Sequence, residues 1–421
     1  MTDTFVQRRQ RVLQELTNGG VLVLAAAPEL VVGRDTHLRY VVDAELYYLT
    51  GYTEPDAVLV LDPASDTPFT MFVRPRDADH ELWHGRRGGL EGAQERFGAQ
   101  SAFPIGELGE RLPRLLSKAD TVYARFGSRP QLDGILQQIL ANGRAARART
   151  GHGPHSLREP GDILDPMRLV KDDGEIALIR EAARISAEAF LETLPRVRPG
   201  LRESEIDALL EYGFRVRGAS GPAFTTITAT GGNATVLHYV ENNATLNAGD
   251  LLLIDAGARY QMYCADISRT VPVSGRFTER QRELYDVVLA AHDAALACCQ
   301  PGAPVDGIHA AARQALARGL VSAGLLQESQ LEDETAIKAL FPHRTSHWLG
   351  LDVHDVGAYA HADEPVLLQP GMVLTIEPGL YLPADNLGIR IENDVLITAS
   401  GYEVLTAQLP SKTNELERLL A

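Results

Sequence analysis

The chain has 421 residues, 45% hydrophobic and 23% charged, an ordinary composition for a folded protein but more chain than one hydrophobic core usually organises. Forty Lys and Arg against 56 Asp and Glu give a formal charge of −16 at pH 7, and no basic cluster offsets it, so nucleic-acid partners are excluded. Cys264, Cys298 and Cys299 form neither a disulfide framework nor a zinc-finger spacing, which points to reduced thiols in a cytoplasm.

In chain order, Met1 to Leu16 carries Arg8, Arg9, Arg11 and Glu15 and has no continuous apolar run, which argues against a secretory leader. The apolar stretch Val21 to Val32 is broken by Pro28 and Glu29. It is too short for the roughly 20 residues of a membrane span and reads as a buried strand, so no membrane partner is expected. Short apolar or alternating runs at Val21 to Ala25, Ala57 to Leu61, Phe69 to Val73 and Thr121 to Phe126 predict strands. Phe5 to Leu16 and Gln131 to Arg149 have helical composition, which makes the first part a mixed α/β unit. Thr150 to Asp165, with Gly151, Gly153, Pro154, Pro160 and Gly161, has the most linker-like composition and sets domain limits at 1–165 and 172–421.

From Asp172 the pattern changes. Ile176, Ile179, Ala183, Ala187 and Phe190 recur at helical spacing, as do Leu284, Val287, Val288, Ala291 and Ala295. Between and after these helices, Asp250 to Ala256, Ala265 to Val273, Met372 to Glu377 and Ile389 to Thr398 predict strands. This is the signature of an α+β domain of about 250 residues.

Acids stand at marked places in those strands. Asp255 ends one strand and Asp266 starts the next, across a turn containing Gly257. The pair reads either as strand-end carboxylates in solvent or a salt bridge, or as ligands to a cation. Glu377, in TIEPG, and Glu392, in GIRIEND, fall inside predicted strands. Two-residue alternation puts Arg390 and Glu392 on one face, either as a structural ion pair or as part of a site. HRTSHWLGLDVHD adds His343, His347 and His354, and imidazole is the commonest metal ligand and proton carrier near neutral pH. Four carboxylates and one imidazole make a hard, oxygen-rich set that balances two divalent cations; a lone zinc favours more nitrogen or sulfur.

The ordered set Asp255, Asp266, His347, Glu377 and Glu392, with LHY around His238, HWLGLDVHDVG, EPGLY and IRIEND, resembles the pita-bread metallopeptidases, and among them the Xaa-Pro aminopeptidases (aminopeptidase P). YYLTGYTEPDAVLVL and the stretch ending in ELWHGRR resemble that family's amino-terminal domain, so the likeness spans nearly the whole chain. It implies a creatinase/aminopeptidase P-like α/β domain, for oligomerisation and cleft shaping, followed by a pita-bread α+β catalytic domain. It further implies a peptidase that releases the first residue from peptides with proline second, using two divalent ions. Manganese is the expected metal, with zinc or cobalt as alternatives, and the assembly is expected to be a homodimer or homotetramer.

By the same resemblance, Asp255 would bind one ion, His347 and Glu377 the other, and Asp266 and Glu392 both. Glu377 would also shuttle a proton toward the departing proline nitrogen. His238, His354 and Arg390 would act on the substrate or the developing intermediate, each with the alternative of orienting a ligand. His343 would flank the proline pocket, with Arg390 contributing there too; Tyr381 would touch the substrate or orient a ligand, and Trp83 would line the cleft of a neighbouring subunit or simply pack. Arg344, where the family commonly has glycine, and Phe224, where it commonly has tyrosine, depart from the pattern on the substrate side. The rivals are an Xaa-Pro dipeptidase with the same ligands, a creatinase-like hydrolase that needs no metal, a methionine aminopeptidase, and a non-catalytic peptide-binding module on the same scaffold.

Overall fold

The computed structural model describes residues 2–17 and 19–421; Met1, counted above in the amino-terminal stretch, lies outside them. The chain divides into two compact units, 1–166 and 167–421.

The amino-terminal unit is built on a six-stranded mixed sheet. Its strands are β1 (Gly20–Ala25), β2 (Val58–Leu61), β3 (Phe69–Val73), β4 (Ser101–Pro104), β5 (Thr121–Tyr123) and β6 (Ser156–Arg158), in the spatial order β4-β3-β2-β1-β5-β6. β1 and β2 are buried at every position or nearly so, because both faces of the sheet are covered, which is why they read as unbroken apolar runs. Helices α1 (Thr2–Glu15), α2 (Ala78–His84) and α3 (Pro130–Thr150) belong to this unit. Leu132, Leu136 and Ile139 of α3 pack with Val21, Val23 and Phe72 in its core.

Two sequence expectations change here. The apolar stretch does not stay buried to Val32: the buried strand stops at Ala25, and beyond Pro28 the residues Leu30, Val31 and Val32 are exposed on a short hairpin. The linker-like stretch is not a free linker, since Ser156–Arg158 pairs in parallel with β5. Gly and Pro there shape a tight return rather than a tether. An added Cβ on Gly143 would stand 2.2 Å from the Pro154 carbonyl oxygen, so helix α3 and this return are in backbone contact.

The carboxy-terminal unit opens with α4 (Asp173–Thr193). Asp172 accepts from the Glu175 backbone N–H at 2.9 Å, and the Glu175 carboxylate accepts from Asp172 N–H at 3.1 Å. This reciprocal cap fixes where the helix starts. Its stripe of Ile176, Ile179, Ala183, Ala187 and Phe190 is buried throughout. α5 (Glu203–Val216), α6 (Glu279–Ala297) and α7 (Asp306–Ser322) complete the long helices. Val287 of α6 is only partly buried, yet it seats against Gly319 of α7, where an added Cβ would lie 2.6 Å away.

Three antiparallel strands follow one another in space: β7 (Ile227–Thr230), β8 (Leu251–Ala256) and β9 (Ile267–Pro272). A second antiparallel set comprises β10 (Val373–Ile376), β13 (Asn393–Thr398) and β14 (Gly401–Val404), and β11 (Gly379–Leu382) pairs with β12 (Leu387–Arg390).

The strand readings need three corrections. Asp255 and Asp266 are not joined by one turn at Gly257. The chain runs on through a further hairpin whose turn is Gln261–Met262, both in the left-handed region at φ 44° and 74°. Gly257 serves another purpose: an added Cβ would stand 1.6 Å from the Ala265 carbonyl oxygen, so only glycine lets the two strands close just beyond Asp255. Glu377 is not inside a strand but follows Ile376, directly before Pro378. Ile389 to Thr398 is not one strand either, for pairing breaks at Ile391 and Glu392 between β12 and β13.

Candidate metal centre

Strand register delivers the first acids. Asp255 on β8 stands directly opposite Ser268 on β9, and Asp266 precedes β9 by one residue. Asp266 and Ser268 are two apart and share a face, so both are presented beside Asp255. From the second strand set, Glu377 is held by its backbone N–H, which donates to Thr345 O at 2.8 Å. Glu392 is held likewise by Ser268 O at 3.0 Å. The break between β12 and β13 therefore frees Glu392 to turn its carboxylate inward, where it accepts from Ser268 Oγ at 2.8 Å.

His347 enters from the loop before Trp348. Its Nδ1 faces the Trp348 carbonyl at 3.0 Å, which assigns the proton to Nδ1 and leaves the Nε2 lone pair aimed at the acids. Nε2 lies 3.4 Å from Asp266 and 3.8 Å from Glu377. Ligand atoms of Asp266, His347 and Glu392 all fall within 4.8 Å of one another.

The electrostatics of this cluster are those of a cation site. Burial, then Asp255, Asp394 and Glu377, push the Asp266 carboxyl well above its usual range. Burial, then Asp266, Glu377 and Asp255, do the same to Glu392. Glu377 is pushed up to about 7, chiefly by burial. One oxygen each of Asp255 and Asp266 is buried without a hydrogen-bond donor among the described residues. Crowded carboxylates with orphaned oxygens and a lone-pair nitrogen beside them fit divalent cations in donor type and in charge.

Arg390 is held against the acids. Its guanidinium donates to Asp255 at 2.6 Å, to Ser268 Oγ at 2.8 Å and to the Tyr381 hydroxyl at 3.0 Å. Tyr381 in turn stands 2.8 Å from His343 Nε2, and His343 Nδ1 is 2.7 Å from the Arg344 carbonyl. Since Tyr381 accepts from Arg390, its single proton goes to His343. Burial and Arg390 push that imidazole down to about 3, so it is neutral.

These groups line one cavity of about 930 Å³ that also receives His238, His354, Phe224 and Arg344, with all of its lining residues in the carboxy-terminal unit. His354 packs edge-on to His347, ring centroids 4.4 Å apart. Tyr381 is buried behind the wall. Trp83 belongs to the amino-terminal unit, on α2, and is 81% exposed.

Sequence reasoning missed several residues at the site. Ser268 links Arg390 to Glu392, and Asp394 accepts from the Asp266 backbone N–H at 3.2 Å with its own carboxyl pushed up to about 8 by burial. Each lies two residues from an acid that had been noticed, so strand alternation alone could have found both. Asp355, beside His354, is held by Arg168 at 2.6 Å and Lys171 at 3.0 Å, pairings that local sequence does not signal.

Comparison with known proteins now adds a family. Residues 177–399 match metallopeptidase family M24, and residues 5–123 match the aminopeptidase P amino-terminal domain. The chain belongs to the M24 metallopeptidases, with an aminopeptidase P-type α/β domain followed by the pita-bread α+β domain. Among its relatives, the Xaa-Pro aminopeptidase of Escherichia coli K12 is 38% identical, across 99% of this chain and 97% of that protein. That of Haemophilus influenzae is 34% identical over the same shares. The solved aminopeptidase PepP of Pseudomonas aeruginosa superposes with a TM-score of 0.95 at 39% identity, covering 100% of this chain and 98% of that one. A zinc-substituted E. coli aminopeptidase P in complex with product gives 0.95 at 37%, again covering 100% and 98%.

Proposed function

We propose that this enzyme is a metal-dependent aminopeptidase that hydrolyses the amino-terminal Xaa-Pro bond, releasing the first residue from peptides with proline second. The observation that carries the reading is the convergence of Asp255, Asp266, His347, Glu377 and Glu392 with His238, His343, His354 and Arg390 on one cavity. Its volume of about 930 Å³ is near the upper end of ligand pockets, roughly 300–1,000 Å³, and leaves room for chain beyond a dipeptide. That favours an aminopeptidase over a dipeptidase.

Asp255, Asp266, His347, Glu377 and Glu392 would hold two divalent ions, with manganese proposed as the resident metal because four of the five ligands are hard carboxylates. Bound there, such ions supply Lewis acidity to the scissile carbonyl and bring the pKa of water toward neutrality. The chain's own residues do the rest. Glu377, partly open to the cavity between His347 and His343, is placed to pass a proton to the leaving proline nitrogen. His238 and His354 stand on the cavity wall as donors for the substrate carbonyl, and neutral His343, fixed by Tyr381, offers its ring to the proline. A Xaa-Pro bond has no N–H, so a site selective for it needs shape rather than an acceptor at that point.

Two wider expectations belong to the same reading. The amino-terminal unit serves assembly into a homodimer or homotetramer, in which Trp83 from a neighbouring copy would line the cleft. A cytoplasmic setting suits the acidic surface and free thiols; no helix among the described residues is long and apolar enough to cross a membrane. Turnover of Xaa-Pro-Yaa tripeptides against Xaa-Pro dipeptides and Xaa-Ala-Yaa controls tests the substrate reading. Preferential cleavage of the proline tripeptides is expected, and a strict dipeptide preference would overturn it. Sedimentation of the parent and of Trp83→Ala tests the assembly.

A further inference from the structure

Glu203, the first residue of α5, is fully buried, and no Lys, Arg or His among the described residues pairs with it. Its carboxylate is filled by four neutral donors. Thr230 N–H at 2.7 Å and the Asn233 amide at 3.1 Å reach one oxygen; the Tyr239 hydroxyl at 2.8 Å and Ala244 N–H at 2.9 Å reach the other. Its backbone is committed to the same place, donating to Ala244 O at 2.9 Å and accepting from Thr228 Oγ1 at 2.9 Å. A buried carboxylate is costly unless its lone pairs are satisfied, and here every satisfying donor comes from one stretch of chain, Thr230 to Ala244.

That stretch has little regular structure beyond the 3-10 turn Gly231–Thr235, yet it carries Leu237, His238 and Val240 onto the cavity wall. Thr230 and Ala244 are its two ends, and Tyr239 directly follows His238. One anion therefore ties both ends of the segment and its middle to the start of a helix. Asn242 adds a second tie, accepting from Thr228 N–H at 3.0 Å and donating to Thr226 O at 2.8 Å.

We propose that Glu203 is a positioning residue for the substrate: its carboxylate clamps the Thr230–Ala244 segment and thereby sets His238 against the peptide. The catalytic half of this statement rests on the Xaa-Pro reading above, whereas the clamp itself does not. Glutamine has the same shape but one oxygen fewer, so in Glu203→Gln an amide N–H₂ must face donors and release one end of the segment.

The test uses the full-length, metal-loaded enzyme with two readouts. Hydrogen exchange of amides 231–244 is expected to speed up at least tenfold in Glu203→Gln with the metal content unchanged; unchanged exchange overturns the clamp, whatever the enzyme cleaves. For Xaa-Pro-Yaa peptides, kcat/KM is expected to fall about tenfold or more in Glu203→Gln, but by less than twofold when the same change is made in a His238→Ala background. Equal losses in both backgrounds show a general structural role and overturn the positioning role. If Glu203→Gln does not fold, Tyr239→Phe, which removes only the donor next to His238, carries the same cycle with an expected loss of about threefold to tenfold. A parent enzyme that cleaves no Xaa-Pro peptide would refute the substrate reading and leave the exchange result to judge the clamp.

Discussion

Arg390 and Asp255 meet at 2.6 Å, one guanidinium nitrogen on one carboxylate oxygen, while the other Asp255 oxygen has no donor among the described residues. The arrangement divides the labour of a single carboxylate. The arginine orients the carboxylate and, on the proposed metal reading, leaves its second oxygen for a cation, with the same guanidinium reaching Ser268 and Tyr381.

Replacing Arg390 by Ala is therefore expected to weaken divalent-ion binding and lower turnover by about 10- to 100-fold, the usual range for loss of a group that orients a ligand. Lysine should not rescue it, because one ammonium cannot reproduce the planar fork that serves three partners. Metal titration alongside kcat/KM checks both statements.

Gly257→Ala is expected to be among the most damaging single methyl additions in the chain. The new Cβ would collide with the Ala265 carbonyl oxygen, and relief requires the Asp255 and Asp266 strands to part. A loss of about 3 kcal/mol or more is expected, at the top of the range for overpacking, with a parallel loss of metal affinity. Denaturant unfolding of the apo and metal-loaded forms measures each.

His354→Ala should lower kcat while both ions stay bound. Its ring lies edge-on to His347 rather than among the acids, so its removal opens space without removing a ligand. Ion content equal to the parent with reduced turnover is the expected pair of results; loss of ions would place His354 among the ligands.

His309, which lines the same cavity without being one of the proposed ligands, gives a pH prediction. Its Nδ1 is 2.9 Å from Thr345 Oγ1, and burial with Arg344 and Arg313 pushes its pKa down to about 4. Below about 6.5 the unfolded chain takes up a proton there that the folded chain refuses until about 4. Protons bound in the unfolded state then exceed those in the folded state, so this group's contribution falls as pH drops from about 6.5 to about 4 and is level outside that window. His309→Gln should flatten the stability–pH curve in that interval, measured as the difference between the two proteins.

Much of the fold is legible locally. Phe69 to Val73 reads as a strand because a sheet covered on both faces takes mostly apolar runs, broken here only by Thr70, and the α4 stripe follows from helical spacing and the Asp172–Glu175 cap. What local sequence hides is chain geometry set by distant partners. The Gln261–Met262 turn carries no Asn-Gly or Asp-Gly signal, and Gly257 looks like the turn although its real constraint is Ala265. The interruption at Glu392 is signalled only by Asn393 and Asp394, residue types that strands tend to exclude, yet the break is what lets the acid face inward. At the site, residue type exposed the acids and histidines, whereas Ser268, Asp394 and Glu203 went unnoticed. Serine is commonplace in strands, and a buried acid with only neutral donors leaves no paired-charge signature.

The central claim is that Asp255, Asp266, His347, Glu377 and Glu392 hold two divalent ions in one cavity. Anomalous diffraction from manganese-loaded crystals tests it most directly, read beside Asp266→Ala and Glu392→Ala proteins. Two peaks about 3.5–4 Å apart among these five side chains, lost together with activity in the two variants, are the predicted result. Active protein whose ions lie elsewhere, or normal turnover in either variant, would contradict it.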